Sequence, residues 1–226
     1  MDKNNLIERS SSQIVHRGDY INLRKDSLTK NGNIIAERDV VEHVGSIVAV
    51  PYEIINGEIY FYLVKQWRNP VEEWLIEFPA GTLNENEDHE LAVIRELQEE
   101  IGMIPKSINY WSYFYVAPGW CDEKIHCYFA GNLEKSKLEE DIDEEIEVIK
   151  ITYDEMVKKI KNSEIIDLKT ISAFNVLDNF FKNDFAKFIN CSSPTMVTVC
   201  SLSSVVAISP TNGPILAPYT FTEVSD

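Results

Sequence analysis

The sequence predicts an α/β sandwich, a mixed β-sheet held between helices. Three observations predict it. Runs of β-branched and other apolar residues recur along the first two thirds of the chain, broken by turn signals at Asn31-Gly32 and Asn56-Gly57. A highly charged segment near residues 88–101 has helical spacing. Two further helical segments follow, near 152–161 and 168–188.

Taken in order, residues 12–23 and 34–43 read as strands flanking the turn Lys30-Asn31-Gly32-Asn33. "GSIVAVPYE" reads as an apolar strand. "NGEIYFYLVKQWR" continues it as a hairpin in a central sheet, with Asn56-Gly57 at the turn. "EEWLIEFPAG" is a short strand leading into a loop over residues 81–88. A helix is expected from Asp88 to Ile101, ended by Gly102 at the position after the C-cap, with Pro105 beyond. "SINYWSYFYVAP", "IHCYFAGNLE" and "EEIEVIKIT" read as three more strands. The last helix places apolar residues at Ile171, Phe174, Leu177 and Phe181. From Asn190 the composition shifts to Ser, Thr, Val and Pro, with Glu223 and Asp226 the only charges of the closing segment. A strand is expected within residues 197–208. The expected organisation is an N-terminal β subdomain at 1–43, a main domain at 44–188 and a low-charge tail at 189–226, to which no chemistry is assigned.

A net charge of −16 argues against a nucleic-acid-binding face, which is basic. Cys121, Cys127, Cys191 and Cys200 form no C-x-x-C pair and no metal-ligand spacing, so reduced thiols in a cytoplasmic protein are expected. "MDKNNLIERSSS" lacks the apolar core of a signal peptide. No stretch approaches the ~20 apolar residues of a membrane span.

The segment from Gly81 to Met103 holds seven Asp or Glu residues and one Arg. Such crowding is unfavourable unless a cation sits among the carboxylates. At ~100° per residue, Glu96, Glu99 and Glu100 share one helix face. Leu91, Ile94, Leu97 and Ile101 fall on the opposite face, which is expected to pack on the core. Arg95 stands four residues before Glu99 and can hold it as an i,i+4 pair. Oxygen ligands without nearby His or Cys suit Mg²⁺ or Mn²⁺, which share their coordination with substrate phosphates.

Gly81, Glu87, Arg95, Glu96, Glu99, Glu100 and Gly102, with Leu97 and Met103, fill every fixed position of G-x5-E-x7-R-E-U-x-E-E-x-G-U, where U is aliphatic. Seven chance matches in a chain this long are expected below about one in a million. The pattern resembles the Nudix box. The resemblance implies the Nudix fold and hydrolysis of a nucleoside diphosphate linked to another group. It implies metal ligation by Glu96, Glu99 and Glu100, with the backbone carbonyl of Ala80. It also implies that Glu87 supports the loop or the cation site, and that Arg95 orients Glu99.

Over residues 10–185 the chain resembles the ADP-ribose pyrophosphatases of that family. The resemblance rests on "ERDVVEHVGSIVAVPYE" followed by "YLVKQWRNPVEEWLIEFPAGTL", on Pro118 sixteen residues after Gly102, and on the acidic "LEEDIDEEIEV". It implies substrate contacts from Arg68, Glu77, Pro118 and Glu123. A surface ion pair is the plainer account of Arg68, a structural pair with Arg68 that of Glu77, and simple solvation that of Glu123. A general base is implied in the acidic loop, where the start of the following strand favours Glu144 over Glu139, Glu140, Asp141, Asp143 and Glu145. His89 and His126 are expected to be structural. Trp67, Trp74, Trp111, Trp120, Tyr20 and Tyr113 are candidates to stack on adenine, with most expected in the core.

The implied reaction converts ADP-ribose, or a close ADP-sugar, to AMP and ribose 5-phosphate, with Mg²⁺ or Mn²⁺ as cofactor. The group's habit implies a homodimer whose residues 1–43 shape the interface and the adenine site. No nucleic-acid or membrane partner is expected. Two rivals stand beside this reading. One is a GDP-mannose or other nucleotide-sugar pyrophosphatase, against which Pro118 counts. The other is a sensor that binds ADP-ribose without cleaving it, against which the complete carboxylate set counts.

Overall fold

The computed structural model describes residues 6–136, 146–180, 197–201 and 204–208. The first three strands, β1 (Ile7–Arg17), β2 (Ile21–Lys30) and β3 (Asn33–His43), form their own antiparallel sheet. Residues 12–23, expected as one strand, instead contain the hairpin turn between β1 and β2. There Gly18 N donates to Ile21 O at 2.9 Å. A long-range pairing overrode a continuous β-like pattern. The turn between β2 and β3 falls where the sequence marks it, with Asn31 and Gly32 at φ of 52° and 76°. Positive φ at both central residues gives the twist that antiparallel strands require.

The main sheet holds β4 (Ser46–Ile55), β5 (Glu58–Arg68), β6 (Glu73–Glu77), β7 (Ala80–Thr82), β8 (Met103–Tyr115), β9 (Lys124–Lys135) and β10 (Ile146–Thr152). Its order is β10-β5-β4-β9-β8, mixed because β4 and β9 run parallel. β4 and β5 pair only near their shared turn, from Tyr52↔Phe61 to Ile55↔Glu58. Beyond it they diverge and the next segment enters between them. There β6 pairs with β5 and β7 pairs with β4. The change of partner falls at Phe78-Pro79, because a proline has no N–H to continue a ladder. Pro79 still accepts from Ala49 N at 2.9 Å. The start of the expected loop, Gly81 and Thr82, thus belongs with Ala80 to a short strand.

Alternation along β4 and β5 divides two cores. Val48, Val50, Phe61 and Leu63 face α2 (Tyr153–Lys161) and α3 (Leu168–Phe180), meeting Met156, Phe174 and Leu177. Ile47, Ala49, Tyr62 and Val64 face α1 (His89–Glu100), meeting Ala92, Val93 and Leu97. This is the expected sheet between helices. The tail carries a two-stranded pairing of β11 (Val197–Ser201) with β12 (Ser204–Ile208), where one strand was expected. Phe181 and the rest of the expected last helix lie outside the described residues. Among the described residues, no helix is long and apolar enough to cross a membrane.

Candidate active site

Local sequence fixes the ends of α1. The Asp88 side chain caps it, accepting from Glu90 N at 3.0 Å and Leu91 N at 3.2 Å. Gly102, at φ 67°, releases the chain after the Ile101 cap.

The facing of α1 corrects the sequence expectation. Glu96 and Glu100 are not opposite the core; they are 7% and 4% exposed, on the same side as Ala92, Val93 and Leu97. Leu91, expected inside, is 61% exposed, and Ile94 is half-buried. Two features make the inward carboxylate tolerable. Gly81 on β7 faces Glu96 so closely that a Cβ built on it would overlap the carboxylate. Arg95 supplies the charge. Its Nη1 donates to Glu96 Oε1 at 2.6 Å and to Glu99 Oε2 at 3.1 Å. Its Nε and Nη2 grip Glu87 at 2.9 and 3.0 Å. Glu87 also accepts from Asn84 N at 2.9 Å, closing the loop before the helix. Hydrogen bonding from Arg95 holds the Glu87 carboxyl below its ordinary pKa, and the Glu87 bond raises that of Arg95 in turn. Arg95 therefore contacts Glu99, the carboxylate the resemblance assigns to it, and Glu96 and Glu87 as well.

A cavity of about 620 Å³ opens beside these groups, lined by Ala80, Gly81, Arg95, Glu96 and Glu99 and by Tyr20 from the β1–β2 turn. Among the described residues, no three His, Cys, Asp or Glu side chains close on one point as a formed metal site. The guanidinium of Arg95 holds Glu96 and Glu99 to itself. The donor set still fits a hard divalent cation. All donors are oxygens, Glu96 is seated in a notch that only glycine leaves open, and the backbone of Ala80 lines the same wall.

A second cavity, of about 480 Å³, lies across β7 and shares Ala80, Gly81 and Thr82 with the first. Arg68 and Glu123 line it. Arg68 donates to both oxygens of Glu77, Nε at 2.9 Å and Nη2 at 2.6 Å. Glu77 is 1% exposed and is absent from the cavity wall. Burial alone would raise its pKa, but the Arg68 hydrogen bond and the charge of Lys169 outweigh that and hold it low. Glu77 thus braces Arg68 from behind. Glu123 Oε1 accepts from Ser46 Oγ at 2.7 Å, with His43 Nδ1 at 3.8 Å. Pro118 stands in the turn at residues 118–120 and lines neither cavity. That connection is tied to the N-terminal sheet, since Val41 N donates to Trp120 O at 2.8 Å. Glu144 and its acidic neighbours at 139–145 lie outside the described residues.

Sequence reading missed Lys169, Asp167, His43 and Ser46, all in the wall of the second cavity. No local signal marks Lys169. Its partner Glu77 is 92 residues away, and only packing of α3 brings them together. Among the proposed aromatic stackers, Tyr20 reaches a cavity wall, while Trp67 and Trp74 pack edge to face at the β5–β6 turn. Phe114 and Tyr115, not singled out before, line the second cavity. The rings of His89 and His126 meet at a tilt of 53° with centroids 4.2 Å apart, and neither lines either cavity. Burial, then His89 and Lys124, lower the pKa of His126.

A mixed sheet split to admit a glycine strand, with a carboxylate-bearing helix laid over it, defines a Nudix domain. A family model described as the NUDIX domain matches residues 46–174, and the chain belongs to that family. It is 32% identical over 165 residues to the ADP-ribose pyrophosphatase of Bacillus subtilis (strain 168), covering 72% of this chain and 88% of that protein. It matches the methanol dehydrogenase activator of Bacillus methanolicus at the same identity and coverage. Among solved structures, a crystal structure of an ADP compounds hydrolase superposes with a TM-score of 0.68. That match spans 81% of this chain and 98% of that one at 17% identity, a likeness of fold.

Proposed function

We propose that this chain hydrolyses the diphosphate of ADP-ribose, or of a close ADP-sugar, to AMP and ribose 5-phosphate. The observation that carries this reading is the Glu96 carboxylate seated against Gly81, on a strand shared by two adjoining cavities. A two-headed substrate can lie across that strand with its diphosphate beside the box carboxylates. The ADP-ribose pyrophosphatase among the similar proteins supports the substrate class.

Nudix hydrolases generally need a divalent metal. We assign Mg²⁺, with Mn²⁺ as a substitute, to Glu96, Glu99, Glu100 and the Ala80 carbonyl. When bound, the metal would neutralise phosphoryl oxygens and make water more acidic. Arg95 holds Glu96 and Glu99 in place. Arg68, fixed by Glu77, offers its remaining N–H groups to a phosphate or a ribose. Glu123 accepts from ribose hydroxyls. Glu144 takes the proton from the water that attacks one phosphorus, and the phosphoanhydride bond breaks. Positioning and charge neutralisation supply most of the acceleration. We further assign the protein to the cytoplasm, in keeping with the free Cys121 and Cys127, and to a homodimer.

The test is a panel of ADP-ribose, ADP-glucose, GDP-mannose, NADH and diadenosine polyphosphates, read by phosphate released after alkaline phosphatase treatment. ADP-ribose with Mg²⁺ should give the highest kcat/KM. Chelation should abolish turnover, and Glu99→Gln and Glu144→Gln should each cut it by about 100-fold or more. Absence of AMP from ADP-ribose with either metal ends the proposal.

A further inference from the structure

We propose that Arg24, on β2, is a positioning residue for Glu123: through Asp122 it sets where that carboxylate stands in the wall of the second cavity. This deepens the proposed function and rests on its assignment of Glu123 to ribose hydroxyls.

One guanidinium here serves three carboxylates. Arg24 Nε donates to both oxygens of Asp26 at 3.2 Å. Its Nη1 donates to Glu42 Oε1 at 2.6 Å and to Asp122 Oδ2 at 2.9 Å. Little of the Arg24 side chain is exposed, so these bonds are only weakly screened by water. Asp26 and Glu42 belong to β2 and β3, and their bonds stay within the N-terminal sheet. Asp26 has further partners there, Ser12 Oγ at 2.7 Å and Arg9 Nη1 at 3.7 Å. Asp122 is the carboxylate that comes from outside the sheet, 98 residues along the chain. Its other oxygen, Oδ1, accepts from His43 N at 3.0 Å. Backbone contacts run alongside: Asp122 N donates to Val41 O at 3.1 Å, and Val41 forms a parallel bridge with Cys121. Consecutive side chains then face different groups. Asp122 meets Arg24, and Glu123 lines the cavity with Ser46 and Arg68. Clamping Asp122 fixes the direction in which the next residue leaves. Glu123 has little else to hold it: among the described residues, its carboxylate has one hydrogen bond, from Ser46 Oγ at 2.7 Å. Without the guanidinium, three carboxylates would face one another, and repulsion would drive Asp122, with Glu123, off the sheet.

Asp122→Asn isolates the link. It leaves Arg24 paired with Asp26 and Glu42, keeps an oxygen for His43 N, and removes the charge that Arg24 holds. Hydrolysis of ADP-ribose by the full chain with Mg²⁺ should be measured at steady state, with a thermal melt for each protein. The proteins are the wild type, Asp122→Asn, Arg24→Met, Arg24→Lys, Glu123→Ala and the double variant Asp122→Asn/Glu123→Ala. Glu123→Ala should raise KM by about tenfold, the worth of one charged hydrogen bond. Asp122→Asn and Arg24→Met should each raise KM by about three- to fivefold. Their kcat should stay within about twofold, because Arg95 holds the box carboxylates separately. Arg24→Lys should recover part of the loss. The double variant should be no worse than Glu123→Ala, since the position of an absent carboxylate is immaterial.

Additive KM increases in the double variant would mean that Asp122 and Glu123 act separately, which overturns the proposal. So does an unchanged KM in Asp122→Asn, or a fall in kcat that matches the rise in KM and follows the melting temperature, the mark of a purely structural pair. If Arg24→Met fails to fold, Asp122→Asn and its double variant decide. If the wild type cleaves no ADP-ribose, the functional reading falls, and the position of Glu123 is read without substrate. Asp122→Asn should then shift the amide resonance of Ser46, the partner of Glu123, in the ligand-free protein and leave that of Gly102 in place. An unshifted Ser46 overturns the proposal.

Discussion

Gly81 has no side chain, and the Glu96 carboxylate uses the space where one would stand. The glycine was legible in the motif, but its reason was not, since the contact joins a strand to a helix fifteen residues on. Gly81→Ala should push Glu96 out of its notch and break its geometry with Arg95. Displacement of a positioning group by about 1 Å costs on the order of 100-fold in rate. We expect kcat to fall by about that factor while the melting temperature changes by a few degrees; unimpaired kcat would remove Gly81 from the site. Glu77 teaches the complementary lesson. Its type and position suggested a substrate contact or a partner for Arg68, and the geometry gives the partner, at 1% exposure. Sequence names the residues that can form an ion pair, but burial decides whether a ligand can reach them.

At the scale of the element, α1 shows which signals are local. Its bounds were predicted nearly to the residue because Asp88 and Gly102 act within one turn. Its facing was misread because hydrophobicity alone was used to choose the inner side. Leu97 packs inward as expected, yet so do Glu96 and Glu100, into space beside β7 that no local pattern announces. The two determinants should separate in urea denaturation. Asp88→Ala should cost about 1 kcal/mol, the loss of one cap. Leu97→Ala, which empties a fully buried site, should cost about 2–5 kcal/mol. Equal costs would mean that capping and packing are not independent in this helix. The strand pair β6 and β7 carries the same lesson. The apolar run read as one strand, and the divergence of β4 from β5 split it between two partners.

For the molecule as a whole, the open issue is the separate sheet of β1, β2 and β3. Arg24 on β2 ties it to the main domain, with Nη1 2.9 Å from Asp122, the residue before Glu123, while Glu42 of β3 holds the same nitrogen at 2.6 Å from within the sheet. Yet Ile7, Val15, Ile21, Ile34 and Ile35 are each about half exposed or more. So much uncovered apolar surface on one sheet supports the proposed homodimer. Light scattering should give twice the mass of one chain across the micromolar range, and a monomer there would refute the dimer assignment. What the sequence determined by itself was whatever depends on near neighbours: the helix caps, the Asn-Gly turns, the alternation of β4 and β5, and the box that declares the family. The tertiary structure alone decided which carboxylates turn inward, that Gly81 faces Glu96, and that Lys169 reaches Glu77. Those contacts join segments far apart in the chain, and their energies depend on burial and distance, which no one-dimensional pattern records.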